Sequence, residues 1–78
     1  METKFDEDDR EEYLMRLGEH YYLEDIDFDV FEKAMNKAID RTLKYHTVKG
    51  KLIIEDWDMF EQNMLFFADE EFNKIYEE

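Results

Sequence analysis

The stretch DFDVFEKAMNKAIDRTLK, residues 27–44, decides the fold. Phe28, Phe31, Met35, Ala38, Ile39 and Thr42 recur at spacings of three and four, while Glu32, Lys33, Asn36, Lys37, Asp40, Arg41 and Lys44 fill the other positions. That period puts the apolar side chains on one face of an α-helix and the charges on the other. Asp27 is suited to cap its N-terminus, with Ile26 and Phe31 as a hydrophobic staple across the cap. Gly50 is suited to the position just past its C-terminus. In YHTVKGKLII, residues 45–54, β-branched and apolar residues flank Lys49-Gly50, so a two-residue hairpin is the alternative to a helix running on to Lys49.

The same reading extends outward in both directions. Tyr13, Leu14, Leu17 and Tyr21 give an apolar face to a helix from about Asp8 to Tyr22, with Gly18 as the place where it ends or bends. A third helix begins near Asp56 to Asp58, with Asp58 and Glu61 spaced as a capping box, and carries Trp57, Phe60, Met64, Phe67, Phe72 and Ile75 on its stripe. Asp69 is placed to cap a separate short helix from Glu70 to Tyr76, with a kink at Ala68. The expected fold is all-α, a compact bundle of three or four short helices in one domain over residues 1–78. A small α+β form with a two-stranded hairpin near residues 45–54 is the alternative.

Aromatic residues make up 17% of the chain, which favours a packed core over a disordered acidic tail. There is no Ser, Cys or Pro, and there are two His (His20, His46) and two Gly (Gly18, Gly50). Serine and cysteine nucleophiles are therefore excluded, as are disulfides and thiolate metal sites. Two glycines 32 residues apart cannot assemble a phosphate-cradling loop. No stretch approaches a membrane span, and the acidic N-terminus is unlike the basic start of a signal peptide, so a cytoplasmic protein is expected.

Three constellations invite a chemical reading. Asp25, Asp27 and Asp29 reproduce the opening of a calcium loop, but Val30 stands where the turn needs Gly and Asn36 where a bidentate Glu belongs, so they read as acids around a helix start. His20 and His46 lack metal-ligand spacing and read as surface histidines, with Glu24 four residues after His20 as its partner. Lys33, Lys37, Arg41 and Lys44 form a basic stripe that reads as paired, through Asp29–Lys33, Asp40–Lys44 and the acids of flanking helices. No metal, no cofactor and no catalytic residue is expected. Tyr21-Tyr22 and Phe66-Phe67 each set adjacent rings on different helix faces, which makes Tyr22 and Phe66 candidates for a partner surface or a homodimer contact.

The charge is sorted into blocks. Residues 1–32 hold 13 acids against 3 bases, residues 33–51 one against 6, and residues 52–78 nine against one, for a net charge of −13. DEDDREE, residues 6–12, sets six carboxylates around one arginine. A domain of this length spans roughly 30 Å, over which duplex DNA carries about 18 charges. Excess charge of one sign opposes compaction, which points to a basic protein partner rather than to nucleic acid. The residues expected to meet it are Asp6, Glu7, Asp8, Asp9, Glu11, Glu12, Glu55, Asp56, Asp58, Asp69, Glu70 and Glu71.

In DEDDREE, EDWD (residues 55–58), DEEF (residues 69–72) and its small Cys-free helical plan, the chain resembles the acidic inhibitors encoded by phages, the DNA-mimic and anti-CRISPR type. The resemblance covers overall character and matches no motif residue by residue. It implies a non-catalytic inhibitor in an infected or host bacterial cell. Such a protein would occupy the nucleic-acid groove of a host nuclease, CRISPR effector or DNA-binding protein. An acidic protein-interaction or regulatory subunit unrelated to nucleic acid is the alternative.

Overall fold

Residues 28–45 form the helix that their periodicity requires, and the rest of the chain wraps its apolar face. The computed structural model describes residues 2–22 and 24–76. The elements run α1 (Glu7–Tyr21), α2 (Phe28–Tyr45), β1 (Thr47–Val48), β2 (Lys51–Leu52) and α3 (Trp57–Tyr76). The all-α expectation holds for the three helices, and the hairpin foreseen as its alternative is present between α2 and α3. Among the described residues no helix is long and apolar enough to cross a membrane.

α2 starts where Asp27 accepts the Asp29 N–H at 2.9 Å. It stops at Tyr45 rather than continuing to Lys49, because Thr47, Val48, Lys51 and Leu52 pair instead as an antiparallel ladder. Lys49 (φ 53°) and Gly50 (φ 80°) both take positive φ, as the tight two-residue turns that suit strand twist demand. Glycine adopts that conformation without Cβ strain. So Gly50 serves the turn, not the helix terminus.

The hairpin folds α3 back antiparallel along α2, and their facing stripes bury Phe31, Met35, Ala38, Ile39, Phe60, Met64 and Ala68. Thr42, fully buried among them, satisfies its hydroxyl by donating to the Ala38 carbonyl at 2.7 Å. α1 closes the core with Tyr13 and Leu17. Tyr13 stands edge-on to Phe60 at 5.6 Å, and Tyr21 meets Phe72 at 5.4 Å further along, so α1 and α3 run in the same direction.

Four details depart from the sequence reading. α1 passes through Gly18 without a break, and α3 is continuous to Tyr76 with no kink at Ala68. α3 is capped by Asp56, whose Oδ1 accepts the N–H groups of Asp58 (3.0 Å) and Met59 (3.3 Å), and not by Asp58. Phe28 and Trp57, assigned to core stripes, sit in first turns that overhang the core and remain 57% and 43% exposed.

A candidate acidic interface

Each helix start draws acids for a local reason. At α1, Asp6 Oδ1 accepts the Asp9 N–H at 3.1 Å and Asp9 Oδ2 accepts the Asp6 N–H at 3.2 Å, a reciprocal capping box. Glu7, Asp8 and Asp9 occupy the first turn, where carboxylates are favoured by the positive end of the helix dipole. At α3, Asp56 caps alone, its Oδ1 taking the Asp58 and Met59 N–H groups, and Asp58 occupies the first turn. Capping thus accounts for Asp6, Asp9 and Asp56, and leaves Glu7, Asp8, Glu12, Glu55 and Asp58 without a capping role.

The N-terminal segment then brings two sequence-distant blocks together. The Thr3 N–H donates to the Leu52 carbonyl and the Ile54 N–H donates to Thr3 Oγ1, both at 2.7 Å. Phe5 packs on Tyr13 (5.9 Å) and Phe60 (5.8 Å). With α1 and α3 running the same way, this seats their N-termini at one end of the molecule. Asp6 to Asp9 and Glu12 lie on the same end as Glu55, Asp56 and Asp58, and Arg16 bridges Glu12 (3.2 Å) to Glu61 (3.5 Å).

Arg10, the one cation within DEDDREE, does not neutralise that stretch. Its guanidinium turns to α2, where it donates to Asn36 at 3.0 Å and pairs with Asp40 at 2.6 Å. Glu7, Asp8, Glu55 and Asp58 have no ion-pair partner among the described residues and are exposed. The end is not purely acidic, since Lys4, Lys49 and Lys51 lie on the segment and hairpin beside it.

The third expected block lies apart from this end, on the last half of α3, and is largely engaged internally. Asp69 is exposed, Glu70 lies 3.5 Å from Arg41, and Glu71 is only 4% exposed. The Glu71 carboxylate meets Arg41 (2.8 Å), Lys74 (3.2 Å) and Lys37 (3.8 Å). Burial pushes its pKa up, but hydrogen bonds from Lys74 and Arg41 and the charge of Lys37 outweigh that and hold it below the ordinary value. Glu71 therefore anchors the basic stripe of α2 to α3. Glu11 also leaves the acidic end and lines a groove between α1 and α2.

Half of the basic stripe is paired, and across helices, while Lys33 and Lys44 have no ion-pair partner among the described residues. Lys37 and Arg41 reach α3, and Arg41 also stacks over the Phe67 ring at 4.5 Å. The expected Asp29–Lys33 and Asp40–Lys44 pairs do not form, and Asp40 turns to Arg10 instead. His20 is exposed and lies against the Tyr21 ring at 6.2 Å. His46, by contrast, is half-buried rather than a surface residue, with Asn63 Nδ2 3.1 Å from its Nε2 and Phe60 at 5.3 Å. Tyr22 and Phe66 are exposed, at 39% and 63%.

The span of roughly 30 Å expected from chain length was too short, so the charge density was overestimated. The molecule measures 42 × 23 × 19 Å. Duplex DNA would carry about 25 charges along that length. A net charge of −13 is about half that density. Comparison with known proteins returns no match: no family model, no curated protein and no solved structure is similar to the chain.

Proposed function

We propose that the protein is a non-catalytic acidic inhibitor that binds a basic, nucleic-acid-binding groove on a host nuclease, CRISPR effector or DNA-binding protein. The observation that carries this reading is the convergence of Asp6 to Asp9 and Glu12 with Glu55, Asp56 and Asp58 at one end. Four of those carboxylates have neither a capping role nor an ion-pair partner among the described residues. Clustered like charge is unfavourable to the folded chain alone and favourable to a cationic partner. The contact is charge-steered and needs no cofactor. Asp69 and Glu70 lie apart from it, and Glu71 contributes to stability instead.

An interaction or regulatory subunit unrelated to nucleic acid is the second reading, favoured by the overall charge density of about half that of DNA. Affinity capture from the source cell, followed by elution with duplex DNA, separates the two. Under the inhibitor reading the captured protein binds nucleic acid, and duplex DNA releases it because both occupy one groove. A captured partner that holds duplex DNA and this protein at the same time would refute it.

A further inference from the structure

Beginning about one turn along α1 from the acidic end, an open cleft of about 520 Å³ runs between α1 and the start of α2, a size typical of sites that receive a ligand or a partner's side chains. Its walls are apolar: Leu14 and Met15 from α1, Tyr22, and Phe28 and Phe31 from α2. Met15 is 70% exposed there. The aromatic wall is already fixed in place. Tyr22 stands edge-on to Phe28 (5.8 Å) and Phe31 (5.2 Å), and its hydroxyl donates to the Ile26 carbonyl at 3.4 Å.

Two further observations say what fits this cleft. Gly18 lines it from the last turn of α1, still a helical position where glycine is less favourable than other residues. No close packing requires that glycine, since beyond its chain neighbours and its own helix backbone no atom lies within 4 Å of where a Cβ would stand. What the missing side chain preserves is an open floor. The rim carries Glu11, Glu19 and Glu32, none of which has an ion-pair partner among the described residues. From Glu11 to Tyr22 the groove follows α1 for about three turns, or roughly 16 Å.

We infer that this groove docks an amphipathic helix of a protein partner, its apolar side chains entering at Gly18 and its flanking lysines or arginines meeting Glu11, Glu19 and Glu32. An apolar floor inside an acidic rim is complementary to a helix with apolar anchors at i, i+3 or i+4 and i+7 and a basic border. The same rim, on a chain of net charge −13, repels a second copy and nucleic acid alike.

The test uses a fluorescent helical peptide of leucine and lysine, about four turns long, with leucines at i, i+3, i+4 and i+7, and its counterpart with glutamate in place of lysine. Anisotropy at an ionic strength of about 0.15 M should show binding of the lysine peptide and none of the glutamate peptide. Amide shifts should centre on Leu14, Gly18, Tyr22 and Phe31. Gly18→Leu, which fills the floor, and Met15→Asp, at an exposed position, should each weaken binding by about tenfold or more. Circular dichroism of both variants should match that of the parent. Glu2→Lys, on the segment held against β2 and outside the groove, should leave the affinity within about threefold. Shifts spread over the whole acidic surface, equal binding by folded Gly18→Leu and Met15→Asp variants, or self-association abolished by Gly18→Leu would each overturn the inference.

Discussion

Glu71→Gln removes one negative charge from the most buried ionic site among the described residues, and its effect can be worked out from the surroundings. Breaking a buried ion pair by removing one partner costs about 3–5 kcal/mol when the remaining charge stays dry. Here the stranded cations do not stay dry, because the side chains of Arg41, Lys74 and Lys37 are 33%, 55% and 63% exposed. Water recovers part of the loss, and the neutral amide can still accept one hydrogen bond, which brings the expected cost to about 2 kcal/mol. For a domain of this size that lowers Tm by about 8–16 °C. The neighbouring Glu70→Gln, with a 42% exposed side chain 3.5 Å from Arg41, should cost under about 0.5 kcal/mol.

The pH dependence supplies a second readout of the same site. The Glu71 carboxyl is held below its ordinary value of 4.5 in the folded chain. Its stabilisation is therefore fully present above that unfolded value and is lost as pH falls through the lower folded one. Urea denaturation followed by circular dichroism should show parent and Glu71→Gln differing by about 2 kcal/mol at neutral pH and converging in acid. A neutral-pH difference no larger than that of Glu70→Gln would refute the assignment of Glu71 to an internal anchor and return it to the surface.

Three further outcomes are expected. Asp6→Ala, which removes half of a capping box, should cost about 1 kcal/mol in thermal unfolding, against a few tenths for Asp8→Ala, which caps nothing. Gly50→Val should destabilise by at least about 1 kcal/mol, because φ of 80° is strained for a β-branched residue; the same substitution at exposed Lys51 should be nearly neutral. In a gel shift at low salt the protein should leave duplex DNA and RNA unretarded, and tight binding to either would contradict a surface built to meet cations.

α2 was legible because its apolar period runs unbroken and its cap, Asp27, sits beside it. The hairpin was visible only as an alternative: the local sequence around Lys49-Gly50 suits either a helix end or a turn, and pairing of Thr47 with Leu52 decides between them. Asp56 and Asp58 are both acceptable caps by sequence, and only backbone geometry selects Asp56. Glu71 looked like its neighbours in a run of acids, yet it falls on the α3 face turned toward Arg41, a partner 30 residues away. The groove was missed because it is made by a gap between helices. Its one trace in the sequence was Gly18, read as a helix breaker when α1 simply passes through it.

The central claim is that charge at the joint start of α1 and α3 drives recognition of a basic groove. Its most direct test is the association rate with the captured partner as a function of ionic strength, for the parent and for Glu7→Lys, Asp8→Lys, Glu55→Lys and Asp58→Lys combined. These four positions spare the caps Asp6, Asp9 and Asp56, so the variant should remain folded. The account predicts that the parent rate falls about tenfold or more as salt rises from about 0.05 to 0.5 M, and that the variant starts slow and responds little. A parent rate indifferent to salt, or a folded variant that associates as fast as the parent, would contradict it.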